Sequence, residues 1–251
     1  MIRGEGMDLT KVHYANCEVF NPHPTNYKTN EMPGTFPSRR AAFTVDNCRD
    51  ITIEDMYIAT DVWGQAEGIL VNGERVGIYR SEIVGTGDAW QLNGTIYLEG
   101  CKLVGAGDSM LGRGSVFAYR CHIINGGGPM AWIRNFKPAH GDVFVECLME
   151  ASRGKFDYGH ATTQPHMGYP DAEMVIIDCL VRDLNPKGWS RIAMESQTML
   201  EFNTRDADTG ELVDVSERDP LCRQLDAEKD AELLRLYRNP AYVLNGWDPR
   251  R

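Results

Sequence analysis

The feature that most constrains this chain is a short β-type run that ends in the same small residue and keeps returning. Six cysteines close such runs: Cys17, Cys48, Cys101, Cys121, Cys147 and Cys179, as in Ile96-Tyr97-Leu98-Glu99-Gly100-Cys101 and Val143-Phe144-Val145-Glu146-Cys147. Ser81 fills the same slot after Gly77-Ile78-Tyr79-Arg80. The intervals from 17 to 179, Ser81 included, are 31, 33, 20, 20, 26 and 32 residues. Repeats of this size mark a solenoid, in which each unit buries its apolar face only against its neighbours. Each unit is a strand of a few residues, the Cys or Ser, a second apolar pair and a Gly/Asn-rich turn such as Asn72-Gly73 or Gly126-Gly127-Gly128. Residues 1–200 carry almost no helical periodicity. The expected fold is all-β, a right-handed parallel β-helix with the cysteines stacked inside, one per coil, at roughly 4.8 Å rise.

The tail reads differently. Residues 226–237 have helical spacing, and Pro240 ends the run. Solenoid ends need covers, so the expected organisation is a β-helix over residues 1–215 and a C-terminal capping helix and tail over 216–251.

Composition narrows the function classes. With 26 Lys+Arg against 36 Asp+Glu the formal charge is −10. No basic cluster stands out, so nucleic acid is not an expected partner. No apolar run reaches the roughly 18 residues that a membrane span requires. The first residues, Met1-Ile2-Arg3-Gly4-Glu5-Gly6, hold no secretory signal. An odd count of 7 Cys without a CxxC pair fits neither a closed disulfide framework nor a zinc site. No metal or other cofactor is expected.

Two aspartates share one phase. Val84-Gly85-Thr86-Gly87-Asp88 lies 20 residues before Val104-Gly105-Ala106-Gly107-Asp108, and each Asp precedes its Cys by 13. In a β-helix, equal phase means stacking on adjacent coils. Two carboxylates that close cannot both ionise freely, so one becomes an acid and the other an ionised base or nucleophile. Ester or glycoside chemistry needs that asymmetry.

These segments resemble the pectin methylesterase family, which folds as a right-handed parallel β-helix. The family pairs a Tyr-Gln-Asp-Thr-Leu segment with Gly-x-Val-Asp-Phe-Ile-Phe-Gly one coil later. Here the counterparts are Thr86-Gly87-Asp88-Ala89-Trp90 and Gly105-Ala106-Gly107-Asp108-Ser109-Met110-Leu111-Gly112. The family's Gln-Ala-Val-Ala-Leu matches Gln65-Ala66-Glu67-Gly68-Ile69, at the family's spacing of 22 residues before Gly87. Pro186-Lys187-Gly188-Trp189 and the closing Trp247-Asp248-Pro249 resemble later family landmarks. The resemblance implies hydrolysis of methyl esters of galacturonan or a related uronate. Asp108 would be the nucleophile, Asp88 the acid and base, and Gln65 an oxyanion donor. The polysaccharide substrate, an extracellular or periplasmic location and a monomeric state are expectations of the same kind.

The chain also departs from the pattern. The Gln of the first motif is Gly87. The Leu-Gly-Arg-Pro-Trp segment, whose Arg holds the nucleophile, has no clean match: one alignment puts His166 there and another Gln164-Pro165-His166. His160, His166, Arg113 and Arg134 all remain candidates to supply the missing charge. Trp63 and Trp90, beside Gln65 and Asp88, are expected as cleft walls, with Trp132 and Tyr158 as further aromatics able to stack on sugar. Gln164, His160, His166 and Arg113 complete the expected substrate contacts. The competing reading is a catalytically impaired β-helix that binds polysaccharide. The motifs of polygalacturonases and pectate lyases are absent from the sequence.

Overall fold

A computed structural model describes residues 1–17, 19–20, 40–161, 169–192 and 194–250. The chain winds as a right-handed parallel β-helix. Its first sheet is built on the strands Phe43–Glu54, Ile69–Tyr79, Trp90–Glu99, Ser115–Tyr119, Gly141–Val145, Glu173–Ile177 and Thr198–Phe202 in successive coils. The second sheet stacks the shorter strands Lys11–Tyr14, Tyr57–Thr60, Glu82–Val84, Lys102–Gly105, His122–Asn125, Leu148–Ala151, Leu180–Arg182 and Arg205–Asp206. All named strand pairs are parallel and nearly all are in simple register, so like side chains stack. One inward row is Ile53, Ile78, Leu98, Ala118, Phe144 and Ile176.

The repeated cysteine has a physical reason. Between the two sheets every coil turns on one left-handed residue: Asp55, Arg80, Gly100, Arg120, Glu146, Asp178 and Asn203, with φ between 44° and 60°. The next residue points into the core at Met56, Ser81, Cys101, Cys121, Cys147, Cys179 and Thr204. At such a corner the carbonyl two residues back accepts a backbone N–H from the preceding coil and has a second lone pair to spare, as where Asp55 N donates to Tyr79 O at 3.2 Å and Glu146 N to Ile177 O at 3.0 Å. Ser81 donates to Tyr79 O at 2.9 Å, and Cys179 Sγ to Ile177 O at 3.3 Å. A small side chain with a weak donor fits that slot. Outside, the corner residues pair across coils: Arg80 with Asp55 at 2.8 Å, and Arg120 with Glu146 at 2.7 Å. Two cysteines leave the expected frame. Cys48 sits half-exposed where the register of Phe43–Glu54 shifts, and Met56 holds the inner position of that coil. Cys17 follows a second-sheet strand and is not a corner residue.

The first sheet is apolar on its outer face as well, with Tyr97, Phe117, Val143 and Val175 buried there. The helices Ala231–Tyr237 and Pro240–Val243 supply the cover through Leu234, Tyr237, Val243 and Leu244. They lie along the flank of the solenoid, and the tail returns far enough for Tyr79 to donate to Pro249 O at 3.0 Å. The sheet runs past the expected boundary at 215, because Cys222–Gln224 pairs with Thr198–Phe202. Among the described residues no helix is long and apolar enough to cross a membrane.

Candidate active site

The turns that lead from the second sheet into the next first-sheet strand carry Asp88 and Asp108. Trp90 N donates to Ser109 O at 2.7 Å and Ala106 N to Thr86 O at 3.2 Å, so the two turns are stacked neighbours, as the equal phase requires. Gln65 joins them from the preceding coil through a bridge to Gly87. The structure therefore brings Gln65, Asp88 and Asp108 together on three adjacent coils.

The two carboxylates differ in surroundings. The Asp88 side chain is 20% exposed and that of Asp108 is 34%. Burial pushes the Asp88 carboxyl above the ordinary aspartate range; the charges of Arg40 and Arg134 pull it back, and Asp108 adds to the rise. Asp88 is thus held towards its protonated form.

Each carboxylate has its own partner. Nη2 of Arg40 lies 3.4 Å from Asp88 Oδ2. The same guanidinium donates to Gln65 Oε1 at 2.7 Å and to Glu67 Oε1 at 2.6 Å. Nε2 of His160 lies 3.0 Å from Asp108 Oδ1. The imidazole stacks on Trp132 at 5.7 Å between centroids and 15° between planes. Arg134 lies over the same indole, 4.4 Å from its centroid. Register explains the assembly, since Gln91, Leu111, Trp132 and His160 form one row across four coils.

Beside these turns runs a trough of about 800 Å³. Gly64, Gln65, Gly87 and Gly107 lie along it, and Trp63 and Arg153 also line it. Trp63 is 80% exposed. Its floor is low because the coils present glycine at this phase.

Several expectations change. Trp90 is not a cleft wall: it is buried among Ile69, Met110 and the rest of the core, its indole N–H donating to Ile83 O at 3.3 Å. Trp90 shares the inward row of Ile69 and Met110, so register turns its ring from solvent. Tyr158 is likewise buried, with its hydroxyl on Glu201 at 2.9 Å. His160 bonds to Asp108 from a nearly closed position. Arg113 is buried in the strand register beyond Leu111. Gln164 and His166 lie outside the described residues. Arg40 was not expected from sequence, where nothing sets it apart in Ser38-Arg39-Arg40-Ala41. Glu67 gave the readable signal, because an acid stands where the family segment has Val. Among the described residues no group of three or more His, Cys, Asp or Glu is arranged to hold a metal ion.

Pectin methylesterase from Yersinia enterocolitica superposes with a TM-score of 0.73 at 14% identity, covering 98% of this chain and 87% of that one. Pectin methylesterase PemA from Erwinia chrysanthemi gives 0.71 at 16%, covering 99% and 83%. Pectin methylesterase from carrot gives 0.66 at 14%, covering 97% and 76%. The chain has their fold. No protein-family model matches the sequence, and no curated protein matches it.

Proposed function

We propose that this chain is a carbohydrate esterase of the pectin methylesterase kind, acting on methyl-esterified galacturonan or a related uronate ester. The observation that carries the reading is the stacked pair Asp88 and Asp108, each with its own nitrogen partner, Arg40 and His160. A structural neighbour of the same fold is a pectin methylesterase in complex with a hexasaccharide, which supports a sugar polymer along the trough. An extracellular or periplasmic setting accords with that substrate.

The chemistry follows from the environments. Asp108, the more exposed carboxylate, attacks the ester carbonyl carbon. Charge develops on the carbonyl oxygen, and the Gln65 amide donates to it. Asp88, held towards its protonated form by burial, gives its proton to the departing methanol. Asp88 then takes a proton from water, whose oxygen attacks the acyl carbon and releases Asp108. His160 donates from Nε2 to Asp108 Oδ1 and holds that carboxylate for attack. It thereby takes the place that the family gives to Arg. Gly87 offers no side-chain amide, so catalysis leans more heavily on Gln65.

The test is methanol release from methyl-esterified galacturonan by the purified chain, with Asp108→Asn as the control. Release that vanishes in Asp108→Asn is expected. Oligosaccharide binding without release anywhere between about pH 4 and pH 9 would overturn the reading.

A further inference from the structure

We infer that Arg40 is a positioning residue that turns the donor end of the Gln65 amide toward the reacting ester, with Glu67 as its fixed base; the inference rests on the esterase reading. A glutamine amide has one accepting end and one donating end, and a free side chain can present either. Arginine only donates. Because Nη1 of Arg40 lies 2.7 Å from Gln65 Oε1, the oxygen end of that amide is committed to Arg40 and the NH2 end is directed away from it. An oxyanion needs that donating end.

The orientation holds only if Arg40 itself is fixed, and three features fix it. The Arg40 side chain is 4% exposed and that of Glu67 is 0% exposed, with Nη2 and Oε1 2.6 Å apart. The backbone around Glu67 is pinned to the Asp88 turn, since Ala66 N donates to Gly87 O at 2.9 Å and Gly68 N to Ala89 O at 2.8 Å. The Nη2 that holds Glu67 also reaches Asp88 Oδ2 at 3.4 Å. One planar guanidinium therefore serves three acceptors at set angles, which a lysine ammonium on a flexible stem cannot reproduce. Arg40 acts through Gln65 and need not touch the substrate.

The experiment is a double-mutant cycle between Arg40 and Gln65, read in kcat and KM for methanol release and paired with NMR of the Gln65 side-chain amide. Gln65→Ala should lower kcat by roughly 10²–10³, the usual loss for one oxyanion donor. Arg40→Met should lower kcat by at least roughly tenfold with KM changed less than about twofold, and adding it to Gln65→Ala should cost little more. The Gln65 amide resonances should shift in Arg40→Met. Arg40→Lys keeps a buried cation for Glu67 and should also lose kcat, which separates orientation from folding should the Met variant fail to fold. Losses that simply multiply, a change in KM alone, or unshifted amide resonances would overturn the inference. If the native chain released no methanol, the esterase reading would fall, and the amide resonances in the two Arg40 variants would still decide whether Arg40 orients Gln65.

Discussion

Nε2 of His160 stands 3.0 Å from Oδ1 of Asp108, with the imidazole flat against Trp132. A carboxylate only accepts, so Nε2 carries the proton in this bond. Among the described residues the buried Nδ1 atom has no hydrogen-bond partner. A histidine thus stands beside the proposed nucleophile where the resemblance implies an arginine.

The first prediction follows. The Nε2 hydrogen bond holds the Asp108 carboxylate in position, so its loss should slow methanol release. His160→Ala removes the bond and should lower kcat by at least roughly tenfold. His160→Gln can keep a donor at this place and should retain more of the activity than His160→Ala. The kcat for methanol release by the three proteins is the measurement. An unchanged kcat in His160→Ala would remove His160 from this role.

Trp63 and Trp90 should behave in opposite ways. Trp63 projects into solvent at the trough, so Trp63→Ala should leave the melting temperature alone. It should raise KM by roughly tenfold or less, the value of one aromatic contact. Trp90 fills the core, and Trp90→Ala should cost about 3–5 kcal/mol of stability. Thermal melts and KM for oligogalacturonide methyl esters separate the two. A melting temperature lowered as much by Trp63→Ala as by Trp90→Ala would contradict the placement.

That pair also indicates what could be read from the sequence. Asp88 and Asp108 were legible because a solenoid turns equal phase in sequence into adjacency in space. The same logic found the corner slot at Ser81, Cys101, Cys121, Cys147 and Cys179. It misplaced Cys48, since a register shift in the strand breaks the count there. Trp90 was misread because nearness in sequence to Asp88 says nothing about which face a strand residue takes. Arg40 was not legible: it lies 48 residues before Asp88 with no repeat linking them. Only Glu67, an acid at an apolar position, implied that a buried cation had to come from somewhere.

A second buried pair closes the later coils. Arg218 grips Glu201 with Nε at 2.9 Å and Nη2 at 3.1 Å, and Gln224 and Tyr158 donate to the same carboxylate. Burial by itself would raise the Glu201 carboxyl; the Arg218 hydrogen bonds and charge outweigh it, and the group sits below the glutamate range. A lowered pKa contributes stability that is present above the ordinary glutamate value and lost as pH falls through the native one. Arg218→Met would leave an unpaired buried carboxylate and should destabilise by about 3–5 kcal/mol at neutral pH. That loss should shrink in acid, where Glu201 is neutral. Denaturant titrations at neutral and acid pH check it; an equal loss at both would mean that the pair is not ionic in the native state.

Asp142 should show the opposite sign. It occupies a strand position in register with Val116 and Met174, which belong to a row of core side chains that also includes Ile96. Burial pushes its carboxyl up to about 7, with Arg134 pulling the other way. The native protein then keeps a proton that the unfolded chain has already released. Stability from this group is whole below the ordinary aspartate value and is lost as pH rises towards about 7. Asp142→Val should restore the aliphatic row and remove that decline, making the protein more stable at neutral pH by something on the order of 2 kcal/mol. At acid pH, where the native carboxyl is neutral, the gain should be smaller. Denaturant midpoints of both proteins across this range decide the matter. If Asp142→Val lost stability at neutral pH, the carboxylate would be contributing there, and its closeness to Arg134 would have to outweigh its burial.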